Sequence, residues 1–131
     1  MPDSPSTNIP VPGKAVRGSR SGSPIMAMFD LLGRRWAMGV LWTLSERGPS
    51  TFRALQEACE TISPAVLNAR IKELRSAGFV EQGKGGYQVT PLGQDVYDAL
   101  LPLSKVSKVW ADELAKGSGD TADDDDGPIN E

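Results

Sequence analysis

The 131-residue chain contains no histidine and a single cysteine. Without imidazole groups it has no histidine metal ligand, no histidine general base and no histidine-dependent nucleophilic triad. An internal disulfide is excluded because Cys59 has no second cysteine to pair with. No phosphate-binding loop and no cluster of metal ligands is apparent, so the sequence gives an enzyme almost no support, and no metal or cofactor is expected.

Long hydrophobic runs are also missing. No stretch approaches the roughly 18 apolar residues of a membrane-spanning helix, and the N-terminus is polar where a signal peptide would be hydrophobic. These absences predict a cytoplasmic protein, associated with the nucleoid if it binds DNA. The simplest interpretation of Cys59 is a small buried hydrophobic residue, and a regulatory or intermolecular thiol is the alternative.

Charge is divided unevenly along the chain. Residues 14–84 hold eleven Lys and Arg against six Asp and Glu, whereas residues 85–131 hold three Lys against ten acids. The basic part suits a surface that binds phosphates, although a run of charge is as often only a solvated face.

Composition divides the chain into three parts. Residues 1–22 are rich in Pro, Ser and Gly and predict a disordered arm. A soluble leader without a role in binding is the preferred interpretation of this arm. The alternative is that its cations, Lys14, Arg17 and Arg20, contact DNA phosphates or enter a minor groove. Residues 23–116 carry the apolar periodicity of a folded domain. Residues 117–131 include four consecutive Asp and predict a disordered acidic tail, with competition against DNA for the basic face as a weaker hypothesis.

Two helices are predicted at the start of the domain. Ser23 and Pro24 suit the N-cap and first helical position of a helix that extends to Leu32. Its apolar stripe is Ile25, Met28, Phe29 and Leu32. A second helix is predicted over residues 35–47 and is apolar on nearly all sides, which indicates a central position. Its inward residues are predicted to be Trp36, Val40, Leu41 and Leu44.

The segment from Thr51 to Gly93 is the most informative part of the sequence. Phe52, Leu55 and Cys59 recur at helical spacing and predict a short helix. A second helix is predicted over residues 63–77, because Ser63 can cap it, Pro64 fits its first position and Gly78 can end it. Its buried stripe is Leu67, Ile71 and Leu74. Two helices joined by a tight turn and followed by a hairpin are the plan of a winged helix-turn-helix.

The outer face of the second helix is small and polar. Asn can pair with adenine in the major groove, and small side chains allow close approach to base edges. Cations flanking this face suit phosphate contacts. A plain wet surface helix is the alternative. The residues predicted to bind DNA are Arg53, Ser63, Ala65, Asn68, Ala69, Arg70, Lys72, Arg75 and Lys84.

The hairpin is predicted from two short strand-like segments, 79–82 and 87–90, around a glycine-rich tip at residues 83–86. Glycines supply the positive φ angles that tight hairpins need. Lys84 at this tip is predicted to contact the DNA backbone, although it also fits an ordinary turn lysine.

A long helical region is predicted after Thr90 and Pro91, reaching about Lys116. Pro102 interrupts it, which predicts a kink or two helices that meet near Leu101. A chain of this size has little left to cover the apolar stripe of this region, so homodimerisation is the economical solution, and a palindromic operator would match the twofold axis.

The ordered series of motifs resembles the HxlR-type winged helix-turn-helix regulators, which are related to the MarR type. The resemblance covers roughly residues 23–114 and rests on the segments 30–36, 52–55, 62–63, 71–74, 78–80 and 90–93, together with Leu67 and Trp110. It implies a mainly α fold with a small β-hairpin wing, and a dimeric bacterial transcription factor whose N- and C-terminal helices form the interface. The interface residues are then expected to be Ile25, Phe29, Leu100, Leu103, Val106 and Trp110.

One departure from the family bears on regulation. Many HxlR-type proteins carry a redox-sensing cysteine just before a proline at the start of the domain, and this chain has Ser23 and Pro24 there. Thiol sensing at that position is therefore not implied. The leading hypothesis is a dimeric sequence-specific regulator, most commonly a repressor, that binds double-stranded DNA, with any small-molecule effector unknown. A winged-helix module for protein assembly, without DNA binding, is the alternative.

Overall fold

The structure is a computed structural model that describes residues 8–120, with side chains described up to residue 117. The chain forms two compact units, one up to Tyr97 and one from Asp98 onward. The predicted mainly α fold with a hairpin is confirmed. Its elements are α1 (Pro24–Leu32), α2 (Ala37–Arg47), α3 (Phe52–Ala58), α4 (Pro64–Ser76), β1 (Val80–Gly83), β2 (Gly86–Val89) and α5 (Pro91–Asp120).

The core of the first unit is built around α2. Burial of large aliphatic side chains supplies most of the stabilisation of such a core. Trp36 was predicted to face inward but is only half-buried, since it adopts a left-handed φ of 74° in the turn before α2. The side chains that are almost completely buried come from three helices and are Val40, Leu41, Leu44, Leu55, Leu67 and Leu74.

The apolar residues of helix α1 are divided between the core and the surface. Ala27, Leu31 and Leu32 face the core, whereas Ile25 and Phe29 are 54% and 59% exposed. Of the predicted stripe, Leu32 is therefore buried in the first unit, while Ile25 and Phe29, the two predicted interface residues, are exposed.

The two helices of the helix-turn-helix begin at side-chain caps, and that of the second helix, Ser63, is the predicted one. The Ala54 amide donates to Thr51 Oγ1 at 3.1 Å and the Val66 amide donates to Ser63 Oγ at 3.2 Å. Such caps satisfy amides that the first turn of a helix otherwise leaves unpaired. Gly78, with φ of 86°, ends α4, and the amide of Phe79 donates to the carbonyl of Leu74. This is the Schellman arrangement that favours glycine.

The hairpin is fixed to the start of α3. Strands β1 and β2 are antiparallel, with Val80 opposite Val89 and Gly83 opposite Gly86. The backbones of Ser50 and Tyr87 exchange hydrogen bonds of 2.9 and 2.8 Å. Gly86 has φ of 120°, and a Cβ there would overlap the carbonyl of Ser50. The wing therefore needs glycine at this position to stay close to the helix-turn-helix.

The start of helix α5 is held against the segment between α4 and β1. Thr90 Oγ1 donates to the carbonyl of Gly78 at 2.6 Å and accepts from the amide of Gly93 at 3.0 Å. Val96 is buried in the core of the first unit. Gly93 is also buried, and a Cβ there would overlap the carbonyl oxygen of Phe79. The first turn of α5 therefore lies directly against the backbone that leads into β1.

Of the two alternatives predicted at Pro102, a kink or two helices, the second is wrong. Helix α5 is a single helix that continues past Pro102 to Asp120. Pro102 is exposed, so water can replace the single backbone hydrogen bond that its ring removes. The predicted acidic tail began at Gly117, yet residues 117–120 are helical. Its remaining residues, 121–131, lie outside the described part.

The N-terminal arm also differs from the prediction of disorder over residues 1–22. Residues 8–22 form a turned segment in which Gly13 donates to the carbonyl of Gly22 and Val16 pairs with Ser19. The Arg17 amide donates to Asp30 of α1 at 3.1 Å. The prediction rested on composition, which carries no information about hydrogen bonds between backbone groups or to residues distant in the sequence. Residues 1–7 lie outside the described residues.

Candidate nucleic-acid interface

Helix α4 has one buried and one exposed side. Leu67, Ile71 and Leu74 are buried against the core. On the other side Ala65, Asn68 and Lys72 follow one another at spacings of three and four residues and are all exposed. Residues at that spacing share one face of a helix. This exposed face carries one amide and one cation between small side chains.

The acid of α4 points away from that face. Glu73 is the one carboxylate between Pro64 and Ser76, and its side chain is only 14% exposed. Its Oε1 accepts from Arg70 Nη1 at 2.7 Å and its Oε2 lies 2.9 Å from Arg34 Nη1. The exposed face of α4 therefore carries no negative charge of its own.

Arg70 is placed differently from the prediction. It was expected at the DNA phosphates, but its side chain is 18% exposed. Besides its bond to Glu73, its Nε donates to the carbonyl of Arg35 at 2.7 Å. Charge-assisted contacts of this length fix an arginine in place. Arg70 thus ties α4 to the turn between α1 and α2, and we term Arg34, Arg70 and Glu73 the arginine–glutamate cluster.

The other predicted cations lie nearer the surface. Lys72 and Lys84 are exposed, and Lys84 stands at the tip of the hairpin next to Gly85. Arg53 is 87% exposed, and its 3.8 Å pair with Glu57 on the same helix is too open to solvent to hold it firmly. Arg75 is half-buried in the last turn of α4.

The remaining predicted contact residues take simple positions. Ser63 is exposed, and its hydroxyl caps α4. Ala69 is half-buried. Helical spacing places Ser76 on the outer side of α4, but in the structure it is also half-buried. The spacing of three between Arg70 and Glu73 was a local signal for their ion pair that the sequence interpretation did not use, whereas Arg34 is too far away in sequence to have been found.

Cys59 lies outside this surface. It is buried directly after α3, where burial raises the pKa of its thiol and a side-chain hydrogen bond with Thr43 opposes the rise. A thiol with a raised pKa is a poor nucleophile at neutral pH, since the thiolate is the reactive form. The prediction that Cys59 is a buried residue is confirmed.

The architecture has close counterparts among known proteins. A model of the HxlR-like helix-turn-helix family matches residues 31–115. The chain belongs to this family. HxlR-like proteins are helix-turn-helix regulators of transcription, so the exposed face of α4 belongs to a DNA-binding fold.

Two transcriptional regulators are about 30% identical to this chain over the residues that align. An uncharacterised HTH-type transcriptional regulator from Halalkalibacterium halodurans is 29% identical over 92 residues, which cover 67% of this chain and 80% of that protein. The HTH-type transcriptional regulator YodB from Bacillus subtilis is 32% identical over 100 residues, covering 71% of this chain and 84% of YodB.

Solved structures show the same HxlR fold. A possible HxlR family transcriptional factor from Thermoplasma volcanium matches with a TM-score of 0.60 and 28% identity, over 68% of this chain and 85% of that one. Quinone-bound YodB from Bacillus subtilis matches with a TM-score of 0.56 and 31% identity, over 68% of this chain and 96% of YodB. The winged helix-turn-helix prediction is therefore confirmed.

A membrane helix is not among the elements described. Between residues 8 and 120, every helix is too short or too polar to cross a lipid bilayer.

Proposed function

We propose that the protein is a dimeric, sequence-specific repressor whose helix α4 binds in the major groove of a palindromic operator. The observation that carries the proposal is the exposed side of α4, where Asn68 and Lys72 stand among small residues while Glu73 faces inward. A helix is attracted to a groove lined with phosphates when its exposed face presents donors and carries no negative charge, and this face meets both conditions.

Each residue of this face has a role that its chemistry suits. The Asn68 amide can donate and accept at once, which matches the edge of adenine, and the Lys72 ammonium suits the acceptors of guanine. Ala65 and Ala69 keep the helix close to the base edges because they add no bulk. Ser63 caps the end of α4 that enters the groove first.

The DNA backbone would be held from three elements. Arg53 extends from α3, Arg75 from the end of α4 and Lys84 from the tip of the wing over residues 83–86. Contacts of this kind position a protein on the duplex without selecting a sequence. Arg70 is left out of this set because its guanidinium is already bound to Glu73 and to the carbonyl of Arg35.

Dimerisation is supported by apolar side chains that a single chain leaves uncovered. In the first unit these are Ile25 and Phe29 on α1. In the second unit Leu103, Val106 and Trp110 of α5 are exposed, Trp110 by 64%, and Leu100 is half-buried. Large apolar side chains exposed along a helix in this way mark an interface. A twofold dimer would then place two copies of α4 on two half-sites.

A small-molecule effector is the last part of the proposal. YodB has been solved with a quinone bound. The single thiol of the present chain, Cys59, is buried with a raised pKa. We therefore propose that any effector of this protein binds without a covalent bond to cysteine.

The test is fluorescence anisotropy on the DNA upstream of the gene and on a scrambled duplex, at low and at physiological salt. We expect preference for the upstream DNA. Lys72→Ala should weaken binding to that DNA about tenfold or more, since a good base contact contributes about 1–3 kcal/mol. Lys108→Ala is the matched control, because Lys108 is an equally exposed helical lysine on α5.

Three other outcomes would contradict parts of the proposal. Unchanged affinity in Lys72→Ala with an intact fold would show that this face does not contact bases. Equal loss on both duplexes would make Lys72 a phosphate contact. Absence of binding even at low salt would favour the protein-assembly module. Repression itself is tested by transcription in vitro from the upstream promoter, where added protein should reduce the transcript.

A further inference from the structure

An apolar cavity lies between the N-terminal segment, α1 and the C-terminal end of α4. Its volume is about 320 Å³, which is within the range of small-molecule sites. Ile9, Met28, Phe79 and Leu92 are among its lining residues. Ser76 is the one polar residue among those that line it, and no charged residue does.

The outer wall of this cavity is held at both ends. At one end the Asn8 carbonyl accepts from Arg34 Nη1 at 3.2 Å, and at the other the Gly13 amide donates to Gly22 at 2.9 Å. Between them, Pro10 and Pro12 have fixed φ angles and no N–H group. The wall therefore keeps its shape and has few unpaired backbone N–H groups, as a preformed binding site requires.

Ser76 brings an unsatisfied hydroxyl to this cavity. Its Oγ is buried and has no hydrogen-bond partner within the described part of the chain. Buried hydroxyls are normally paired, and an exception calls for an explanation. Less than 1 Å² of this oxygen is accessible, so its pairing with a molecule in the cavity requires the Ser76 side chain to change its rotamer. Ser45 Oγ is also buried without a partner, but Ser45 is on α2 and does not line the cavity.

We propose that this cavity binds a small, uncharged, largely apolar molecule with one hydrogen-bonding group that pairs with Ser76, and that occupancy changes DNA affinity. The absence of charged lining residues selects an uncharged ligand, since a buried ion without a partner is costly. Ser76 and Ala77 end α4, so a ligand here touches the helix proposed to bind DNA. The regulatory half of this inference rests on the proposed function, whereas the binding half does not.

The test uses the full chain and 2-naphthol, an aromatic alcohol of suitable size, in equilibrium dialysis, with naphthalene as the partner probe. We expect saturable binding of 2-naphthol. Ser76→Ala should weaken it about fivefold, the usual worth of a net hydrogen bond, and leave naphthalene binding unchanged. Ala77→Phe should abolish binding by filling the cavity. Ser45→Ala, which removes the other unpaired hydroxyl, should leave binding unchanged.

Circular dichroism checks that each variant folds. Where Ala77→Phe does not fold, Ile9→Trp fills the cavity from the N-terminal segment, outside every helix and strand. Lack of saturable binding, or binding that neither filling variant reduces, overturns the site. If a second copy of the chain covers the cavity instead, 2-naphthol does not bind and the filling variants change the sedimentation coefficient, which also overturns it.

The regulatory half is decided by anisotropy on the upstream DNA. A shift in DNA affinity at saturating 2-naphthol that disappears in Ala77→Phe supports it. If the DNA-binding curve is unchanged although dialysis shows that 2-naphthol is bound, the proposed effect on DNA affinity is overturned and the proposed binding site is not. Absence of DNA binding with and without 2-naphthol is a failure of the proposed function and is distinguished by the dialysis result.

Discussion

The arginine–glutamate cluster gives the sharpest test of how α4 is held in the fold. Glu73→Gln keeps the size of the side chain and removes its charge. In the native protein the two carboxylate oxygens receive Arg70 at 2.7 Å and Arg34 at 2.9 Å. The glutamine amide would offer one acceptor and place its NH₂ group against a guanidinium, so one of the two contacts becomes donor against donor.

The expected loss follows from these contacts and their burial. A hydrogen bond to a charged group contributes about 1.5–3 kcal/mol. The lower part of that range applies, because the Arg34 side chain is 30% exposed and water can replace part of its contact. We expect Glu73→Gln to lower the free energy of unfolding by about 2 kcal/mol, which corresponds to a decrease in Tm of roughly 10 °C for a domain of this size.

Urea denaturation followed by circular dichroism measures the change. Glu57→Gln is the matched control, since Glu57 is 76% exposed and its pair with Arg53 spans 3.8 Å. That variant should unfold at the same urea concentration as the native protein. Equal stability of Glu73→Gln and Glu57→Gln would refute the reasoning. It would mean that the contacts of Glu73 with Arg34 and Arg70 add no more to the free energy of unfolding than hydrogen bonds to water do.

Three further perturbations test other parts of the structure. Gly93→Ala should destabilise the protein by about 2–3 kcal/mol in urea denaturation, because the added methyl group overlaps the Phe79 carbonyl. Gly39→Ala in α2 should instead stabilise it by about 0.5–1 kcal/mol, because a methyl group there makes only an ordinary contact and glycine is unfavourable inside a helix. Since burial raises the pKa of Cys59, iodoacetamide should alkylate it far more slowly at neutral pH in the folded protein than in urea, and the rate should rise as the pH approaches the raised pKa; equal rates by mass spectrometry would contradict this. Trp110→Glu should convert the proposed dimer to monomer in sedimentation velocity with an unchanged helical spectrum, and an unaltered sedimentation coefficient would remove Trp110 from the interface.

Sequence reasoning succeeded where a structure depends on residues a few positions apart. Helix α4 was predicted over residues 63–77 and spans Pro64–Ser76. The prediction succeeded because the cap and the proline at one end, and the glycine at the other, each act on the adjacent turn of the helix. The buried stripe of Leu67, Ile71 and Leu74 follows from helical periodicity alone. The hairpin was predicted for the same reason, since glycine at its tip decides the turn locally.

Tertiary structure decided the features whose partners are distant in the chain. Arg70 turns inward because it binds the carbonyl of a residue 35 positions away, and no periodicity encodes that contact. Residues 8–22 pack against the domain although their composition predicts disorder, because hydrogen bonds to backbone groups and to Asp30 hold them. Helix α1 was equally apolar on two sides, and only packing chose Leu31 for the core and left Phe29 outside.

The sequence by itself therefore determined the kind of fold and the bounds of the helix that we propose binds DNA. Helix caps, apolar spacing and turn glycines act over a few residues, and their energies are set before the chain closes on itself. That Arg70 is bound within the fold while Lys72 stays exposed, and that a cavity forms beside the last turn of α4, depended on the tertiary structure. Both result from contacts across long sequence separations, which exist only once the core around α2 has brought α1, α4 and the N-terminal segment together.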